Sequence, residues 1–165
     1  MKKQAANYYL QEIALSYIVN TTNRKPKLWT VKDAEDYLRA IWNKDHLSLM
    51  ESAYVVLLNK AKSVIGWFKL AQGGMTQVII DQKLILGAGL KSAACYVLMG
   101  HNLTSGHAVP SELDMDLSRE LFKACQMVGL RLLDWVVLTP EGYFSFHKEG
   151  LLSGSVNSTS YASVV

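Results

Sequence analysis

The sequence predicts a mixed α/β fold in which helices pack on a mixed β-sheet. Three observations lead to that prediction. Helical and strand-like periodicities interleave along the chain, two neighbouring strand-like runs form a hairpin pattern, and 50% of the residues are hydrophobic. A chain of 165 residues with this composition is long enough for one domain with a substantial core. A disordered chain and a coiled coil are both excluded.

The first elements are a strand, a helix and a hairpin. Apolar residues alternate over residues 12–19, which predicts a half-buried strand. Thr30 is followed three residues later by Asp33, a pattern typical of the start of a helix, here running to about residue 43. Two strand-like runs separated by a short polar turn predict a β-hairpin, with strands over residues 52–59 and 63–71.

Helices and strands alternate in the second half of the chain. The predicted elements are a helix over 82–94, a buried strand over 95–99, a helix to Val128 capped by Ser111 or Asp114, a strand over 130–138 and a closing strand over 143–146. The last residues, 153–165, are rich in serine and lack a core pattern, so we expect them to form a loosely held tail.

Charge and cysteine usage exclude several classes of protein. There are 17 basic and 14 acidic residues, and the net charge of +3 is too small to indicate nucleic-acid binding by itself. Cys95 and Cys125 lack the spacing of a disulfide framework or a cysteine zinc site, which favours a reducing cytoplasm. No apolar span is long enough for a membrane helix, and the amino terminus does not have the pattern of a signal peptide.

The segment 100–114, GHNLTSGHAVPSELD, holds the densest group of chemically capable side chains. It links a predicted buried strand to a predicted helix, which is where α/β proteins often place their sites. His101, His107, Ser111 and Asp114 are its candidate ligands and hydrogen-bonding groups. From composition alone, a polar loop with a serine helix cap explains the segment equally well.

This segment resembles the metal motif of the JAB/MPN metallopeptidase superfamily, and specifically of its RadC-type branch. The motif there reads His-Asn-His-Pro-Ser-Gly, followed by Pro-Ser-x-x-Asp. The flanking segments MESAYVVLLNKAKSVIGWFKLAQGG and LLDWVVLTPEGYFSFHKEGLL are also similar to that branch. The resemblance implies a cytidine-deaminase-like JAB/MPN domain over 30–152, preceded by a strand and loop in 1–29 and followed by the tail, in a short form without a helix-hairpin-helix module.

The resemblance also implies roles for individual residues. Active members hold zinc with two histidines and an aspartate, and His101 and Asp114 match the first histidine and the aspartate. Glu51 matches the glutamate that acts as acid and base, and Ser111 matches the serine that stabilises the oxyanion. Three protein ligands leave one open position on zinc, where a bound water has a pKa of about 7 and can attack a carbonyl.

Two positions depart from the family pattern. Leu103 occupies the place of the second histidine, and Trp135 follows Asp134 where the family has an aspartate-histidine pair. A leucine side chain offers no lone pair, so we expect weak zinc binding or none, and weak or no peptidase activity. His107, four residues after Leu103, is an alternative third ligand.

Three functional hypotheses therefore follow. The first is a RadC-like protein with a degenerate zinc-hydrolase site, associated with DNA repair through the family name. The second is an active zinc hydrolase that acts on a peptide or protein through a rearranged site of His101, Asp114 and either His107 or a ligand supplied by the substrate, with Glu51 as base. The third is a non-catalytic module that binds a protein or, by family resemblance only, a nucleic acid. The sequence does not predict an oligomeric state.

Overall fold

A five-stranded mixed sheet forms the framework of the fold. The structure is a computed structural model, and it describes residues 25–73, 79–152 and 159–161. The strands lie in the order β2-β1-β3-β4-β5. The elements are α1 (Val31–Ile41), a 3-10 turn (Lys44–His46), β1 (Ser52–Leu58), β2 (Val64–Gln72), α2 (Gln82–Lys91), β3 (Tyr96–Asn102), α3 (Glu112–Met127), β4 (Arg131–Leu138) and β5 (Tyr143–Ser145). β1 pairs antiparallel with β2 and β3, β3 runs parallel to β4, and β5 is antiparallel to β4. The predicted α/β class and the hairpin are confirmed.

Both faces of the sheet are covered, because alternate side chains of the central strands point to opposite sides. On one face, Val56 and Leu98 pack with Leu38 of α1. On the other face, Met99 packs with Leu121 of α3 and with α2. A central strand buried on both sides reads as a continuous apolar run, as β1 does.

Local capping explains where two of the helices begin. Thr30 and Asp33 form a reciprocal capping box at the start of α1, as predicted. At α3 the cap is Ser111, and Asp114 closes the box by accepting from the Ser111 backbone N–H. Both predicted alternatives for this cap thus take part. Gly129 follows the helix with a φ of 75°, a conformation that suits glycine at a helix end.

β3 is longer than predicted and runs to Asn102 rather than to residue 99. His101 pairs with Ala53 on one side and with Val137 on the other, so it belongs to the strand and not to the loop that follows. His101 and Asn102 are buried although they are polar. Apolar periodicity predicts a strand only as far as its apolar residues extend, so the predicted strand stopped before the polar residues His101 and Asn102.

The expectation of a loosely held tail does not hold for residues 159–161, the part of the tail within the described ranges. Tyr161 is fully buried, and its hydroxyl donates to Asp134 at 2.8 Å. The backbone N–H of Val31 donates to the carbonyl of Thr159, and that of Tyr161 donates to the carbonyl of Trp29. The serine-rich composition suggested that the loss of chain entropy on ordering would dominate in the tail. In residues 159–161, the burial of one aromatic ring and these hydrogen bonds offset that loss.

Other expectations fall outside the described residues or are not tested by them. The predicted strand over 12–19 and the rest of the tail lie outside those ranges, and the division of the chain at residues 30 and 152 stays a prediction. In the ranges that the structure covers, no helix is both long enough and apolar enough to cross a bilayer.

Gly100 lets α1 approach β3 closely. A Cβ built on Gly100 would lie 2.8 Å and 2.9 Å from the two methyl groups of Leu38, a fully buried side chain. Gly100→Ala is therefore expected to lower the free energy of unfolding by about 1–3 kcal/mol through overpacking, measured by urea denaturation. Gly66 of β2, where a Cβ would meet nothing within 4 Å, is the matched control. Gly66→Ala should stay within about 0.5 kcal/mol of the wild type, and equal costs would contradict the close approach.

Candidate functional site

The candidate site lies where β3 ends, α3 begins and the chain enters β1. His101, at the end of β3, is buried, and its Nε2 atom lies 3.4 Å from Oδ1 of Asp114 in the first turn of α3. Burial lowers the pKa of His101, and the charge of Asp114 opposes that fall. The structure therefore brings together two of the predicted metal ligands, one from the strand and one from the helix.

Ser111 and Asp114 are joined by the capping box. Oδ2 of Asp114 accepts from the Ser111 backbone N–H and from the Ser111 hydroxyl, both at 2.7 Å. The Asp114 backbone N–H donates to the Ser111 hydroxyl in return, at 3.2 Å. Since Oδ2 is engaged in this way, Oδ1 is the carboxylate oxygen that faces His101. Ser111 acts here as a helix cap, and its role towards an oxyanion stays a prediction.

Glu51 immediately precedes β1, and its place there depends on Asn102. The Asn102 amide oxygen accepts from the backbone N–H of Ser52 at 2.7 Å. The amide nitrogen donates to the carbonyl oxygens of Leu47 and Met50, at 2.7 Å and 3.0 Å. These three bonds tie the segment before β1 to the end of β3. The sequence places Asn102 in the motif but does not predict this role.

Glu51 is buried and lies within electrostatic reach of Asp114. Burial raises the pKa of the Glu51 carboxyl, and the negative charge of Asp114 raises it further. A carboxyl with a raised pKa is suited to proton transfer near neutral pH. The role of Glu51 as acid and base stays a prediction.

Neither Leu103, at the position of the missing histidine, nor His107 completes a metal site. Leu103 is partly buried, and its side chain packs against the core on the α3 face of the sheet. His107 is exposed in the loop between β3 and α3. Across residues 25–73, 79–152 and 159–161, no three His, Cys, Asp or Glu side chains lie together in a group that could hold a metal ion.

The remaining pair still has the spacing of zinc ligands. Two atoms bound to a tetrahedral zinc at about 2.0–2.1 Å lie about 3.3–3.4 Å apart. The His101 Nε2 to Asp114 Oδ1 distance of 3.4 Å matches that separation. Protein zinc sites use at least three protein ligands, and Leu103, at the position that the resemblance assigns to the third ligand, offers only carbon. His101 and Asp114 are therefore spaced as zinc ligands are, but the side chains present do not fit the ion.

Trp135 of β4 contacts this site in a way that the sequence did not reveal. Its side chain is fully buried, and its indole Nε1 donates to Nδ1 of His101 at 2.8 Å. The two rings meet edge to face, with their centroids 5.8 Å apart. The only signal in the sequence is the tryptophan that stands where the resemblance expects a histidine.

The other two histidines lie in other elements of the fold. His46 is in the 3-10 turn before β1. His147 is fully buried, and its ring lies 5.1 Å from that of Tyr161. His147 thus belongs to the contact that holds residues 159–161.

Comparison with known proteins identifies the domain. A family model described as the RadC-like JAB domain matches residues 28–151. A UPF0758 protein of Porphyromonas gingivalis is 36% identical over 103 residues, covering 62% of this chain and 45% of that protein. One from Acinetobacter baylyi is 31% identical over 163 residues, covering 87% and 60%. One from Aquifex aeolicus is 33% identical over 102 residues, covering 62% and 44%.

The chain spans about half the length of the curated relatives that it matches. The match to the family model covers three quarters of the chain and includes every predicted site residue from Glu51 to Asp114. The five-stranded mixed sheet with helices on both faces agrees with that assignment. The chain belongs to the RadC-like JAB domain family.

Proposed function

We propose that this chain is a JAB domain with a degenerate zinc-hydrolase site, which holds no catalytic zinc and has weak or no metallopeptidase activity. The observation that supports the proposal best is Leu103. It supplies a hydrocarbon side chain, packed against the core, at the position where the family needs a second histidine. In this proposal the contact between His101 and Asp114 is structural and links β3 to α3.

The alternative of an active, rearranged site has less support. It requires either His107 or a ligand supplied by the substrate to join His101 and Asp114, but His107 is exposed, and the described residues contain no group of three potential ligands. Without a metal, Glu51 has no activated water from which to take a proton. We therefore favour the degenerate site.

The wider biological context is also part of the proposal. The association with DNA repair comes from the family resemblance, and the net charge of +3 gives it little independent support. Cytoplasmic placement is supported by Cys95 and Cys125, which are both free thiols. Partners among proteins or nucleic acids follow only from the third hypothesis, a non-catalytic module.

Thermal unfolding with and without zinc tests the proposal. A ligand that binds only the folded state at one hundred times its Kd adds about 2.7 kcal/mol, which for a chain of this size raises the Tm by about 5–10 °C. We expect that neither added zinc nor a chelator changes the Tm of the wild-type protein, prepared without a histidine tag. The proposal fails if zinc raises the wild-type Tm by this amount and leaves that of the Asp114→Ala variant unchanged.

A further inference from the structure

The hydrogen bond between Trp135 and His101 determines where the imidazole ring carries its proton. An indole N–H can only donate a hydrogen bond. At 2.8 Å from the Trp135 Nε1 atom, Nδ1 of His101 must therefore be the acceptor. An imidazole with a proton on Nδ1, whether neutral or charged, would place two N–H groups against each other in the core. The ring proton of His101 consequently lies on Nε2.

This tautomer is the reverse of the one that a metal site needs. A histidine that binds a metal directs a lone pair at the ion and usually donates its other N–H to an acceptor nearby. The Nε2 atom of His101 faces Asp114, and this nitrogen is the one that carries the proton. Trp135 supplies a donor on the far side of the ring, where a metal-bound histidine needs an acceptor.

We propose that Trp135 is a positioning residue that holds His101 in the Nε2–H tautomer and so prevents zinc binding independently of Leu103. The Nε2 proton lies between β3 and α3, in the place that the ion would take, and points towards Oδ1 of Asp114 at 3.4 Å. The inference rests on the proposed function and adds a second, separable cause for it. Restoring the missing histidine at position 103 is then insufficient to restore full zinc affinity.

The burial around Nε2 is consistent with this role. At 3.4 Å the contact with Asp114 is longer than an ordinary hydrogen bond, and within the described residues Nε2 has no closer partner. A nitrogen with a lone pair in this position, beside a carboxylate, would repel the negative charge of Asp114. A proton on Nε2 makes the same contact attractive.

Three variants, measured beside the wild type, separate the contributions of positions 103 and 135. Zinc affinity is measured by competition with a chromogenic chelator for Leu103→His, for Leu103→His with Trp135→Phe, and for Leu103→His with Trp42→Phe, beside the wild type. Trp42 is also buried, and its indole N–H has no partner among the described residues, so it is the matched control. Changes to groups that orient metal ligands typically alter affinity by about 10- to 100-fold.

We expect the Trp135→Phe double variant to bind zinc about 10- to 100-fold more tightly than Leu103→His alone, and the Trp42→Phe double variant to match Leu103→His. The inference is overturned if Trp135→Phe brings no gain over Leu103→His. Zinc bound tightly by the wild type would instead refute the proposed function. The two failures are therefore distinguishable.

The tautomer can also be read in the wild-type protein, which needs no variant to fold. Long-range ¹H–¹⁵N correlation spectra assign the protonated nitrogen of each histidine ring. We expect the His101 signals to show a proton on Nε2 and none on Nδ1. A proton on Nδ1 would overturn the inference whatever the variants do.

Discussion

Asp134→Val is expected to lower the free energy of unfolding by at least about 4 kcal/mol. Asp134 is fully buried in β4 and accepts four hydrogen bonds. The donors are the backbone N–H groups of Trp135 and His147 and the hydroxyls of Ser145 and Tyr161, at 2.6–2.9 Å. Valine leaves all four donors buried without an acceptor, and each unpaired group costs about 1–3 kcal/mol. Urea denaturation measures the loss.

Asp134→Asn is the variant that separates hydrogen bonding from charge. Its amide oxygen can accept from both backbone N–H groups, and the hydroxyls of Ser145 and Tyr161 can turn to accept from its amide nitrogen. We expect it to cost less than half as much as Asp134→Val. Burial raises the pKa of Asp134 to about 6, against the lowering effect of its hydrogen bonds, so burying the charged carboxylate carries a cost that the neutral amide avoids. Equal losses for valine and asparagine would contradict this interpretation.

Asn102→Leu is expected to cost about 3 kcal/mol or more, because it leaves three backbone groups in the segment before β1 without their partners. The variant should lose stability locally, in the segment before β1, as well as globally. Hydrogen exchange at the Ser52 amide, which donates to Asn102 in the wild type, should accelerate more than exchange in the middle of β1. Urea denaturation and exchange measured by NMR together test the prediction.

Asn43 provides the matched control. Its amide oxygen accepts from the backbone N–H of Asp45 at 3.1 Å, in an exposed 3-10 turn. Asn43→Leu is expected to cost about 1 kcal/mol or less, as exposed caps do. If Asn102→Leu costs no more than Asn43→Leu, Asn102 does not hold the approach to β1 and the position of Glu51.

The parts of the fold that the sequence predicted depend on local signals. The start of α1 at Thr30 and Asp33 is a capping box within four residues, and the hairpin of β1 and β2 is set by two adjacent apolar runs. The parts that it did not predict depend on partners far apart in the chain. Tyr161 is buried because Asp134, 27 residues earlier, accepts a hydrogen bond from its hydroxyl. No periodicity within the tail carries that information.

The same distinction applies to the candidate site. The motif places Ser111 and Asp114 in one helical turn, so their contact follows from spacing alone. The position of His101 beside Asp114 follows from the family resemblance and agrees with the structure. The bond from Trp135 to His101 joins residues 34 positions apart on neighbouring strands. Only the register of β3 and β4 brings them together, and the sequence does not state that register.

Elemental analysis of the purified chain tests the absence of a catalytic zinc most directly. The protein is prepared without a chelator and without a histidine tag, and zinc is measured per chain alongside the Asp114→Ala variant. We expect both proteins to contain well below one zinc per chain, because Leu103 and the Nε2 proton of His101 leave too few lone pairs to bind the ion. One zinc per wild-type chain that is lost in Asp114→Ala would contradict the degenerate site.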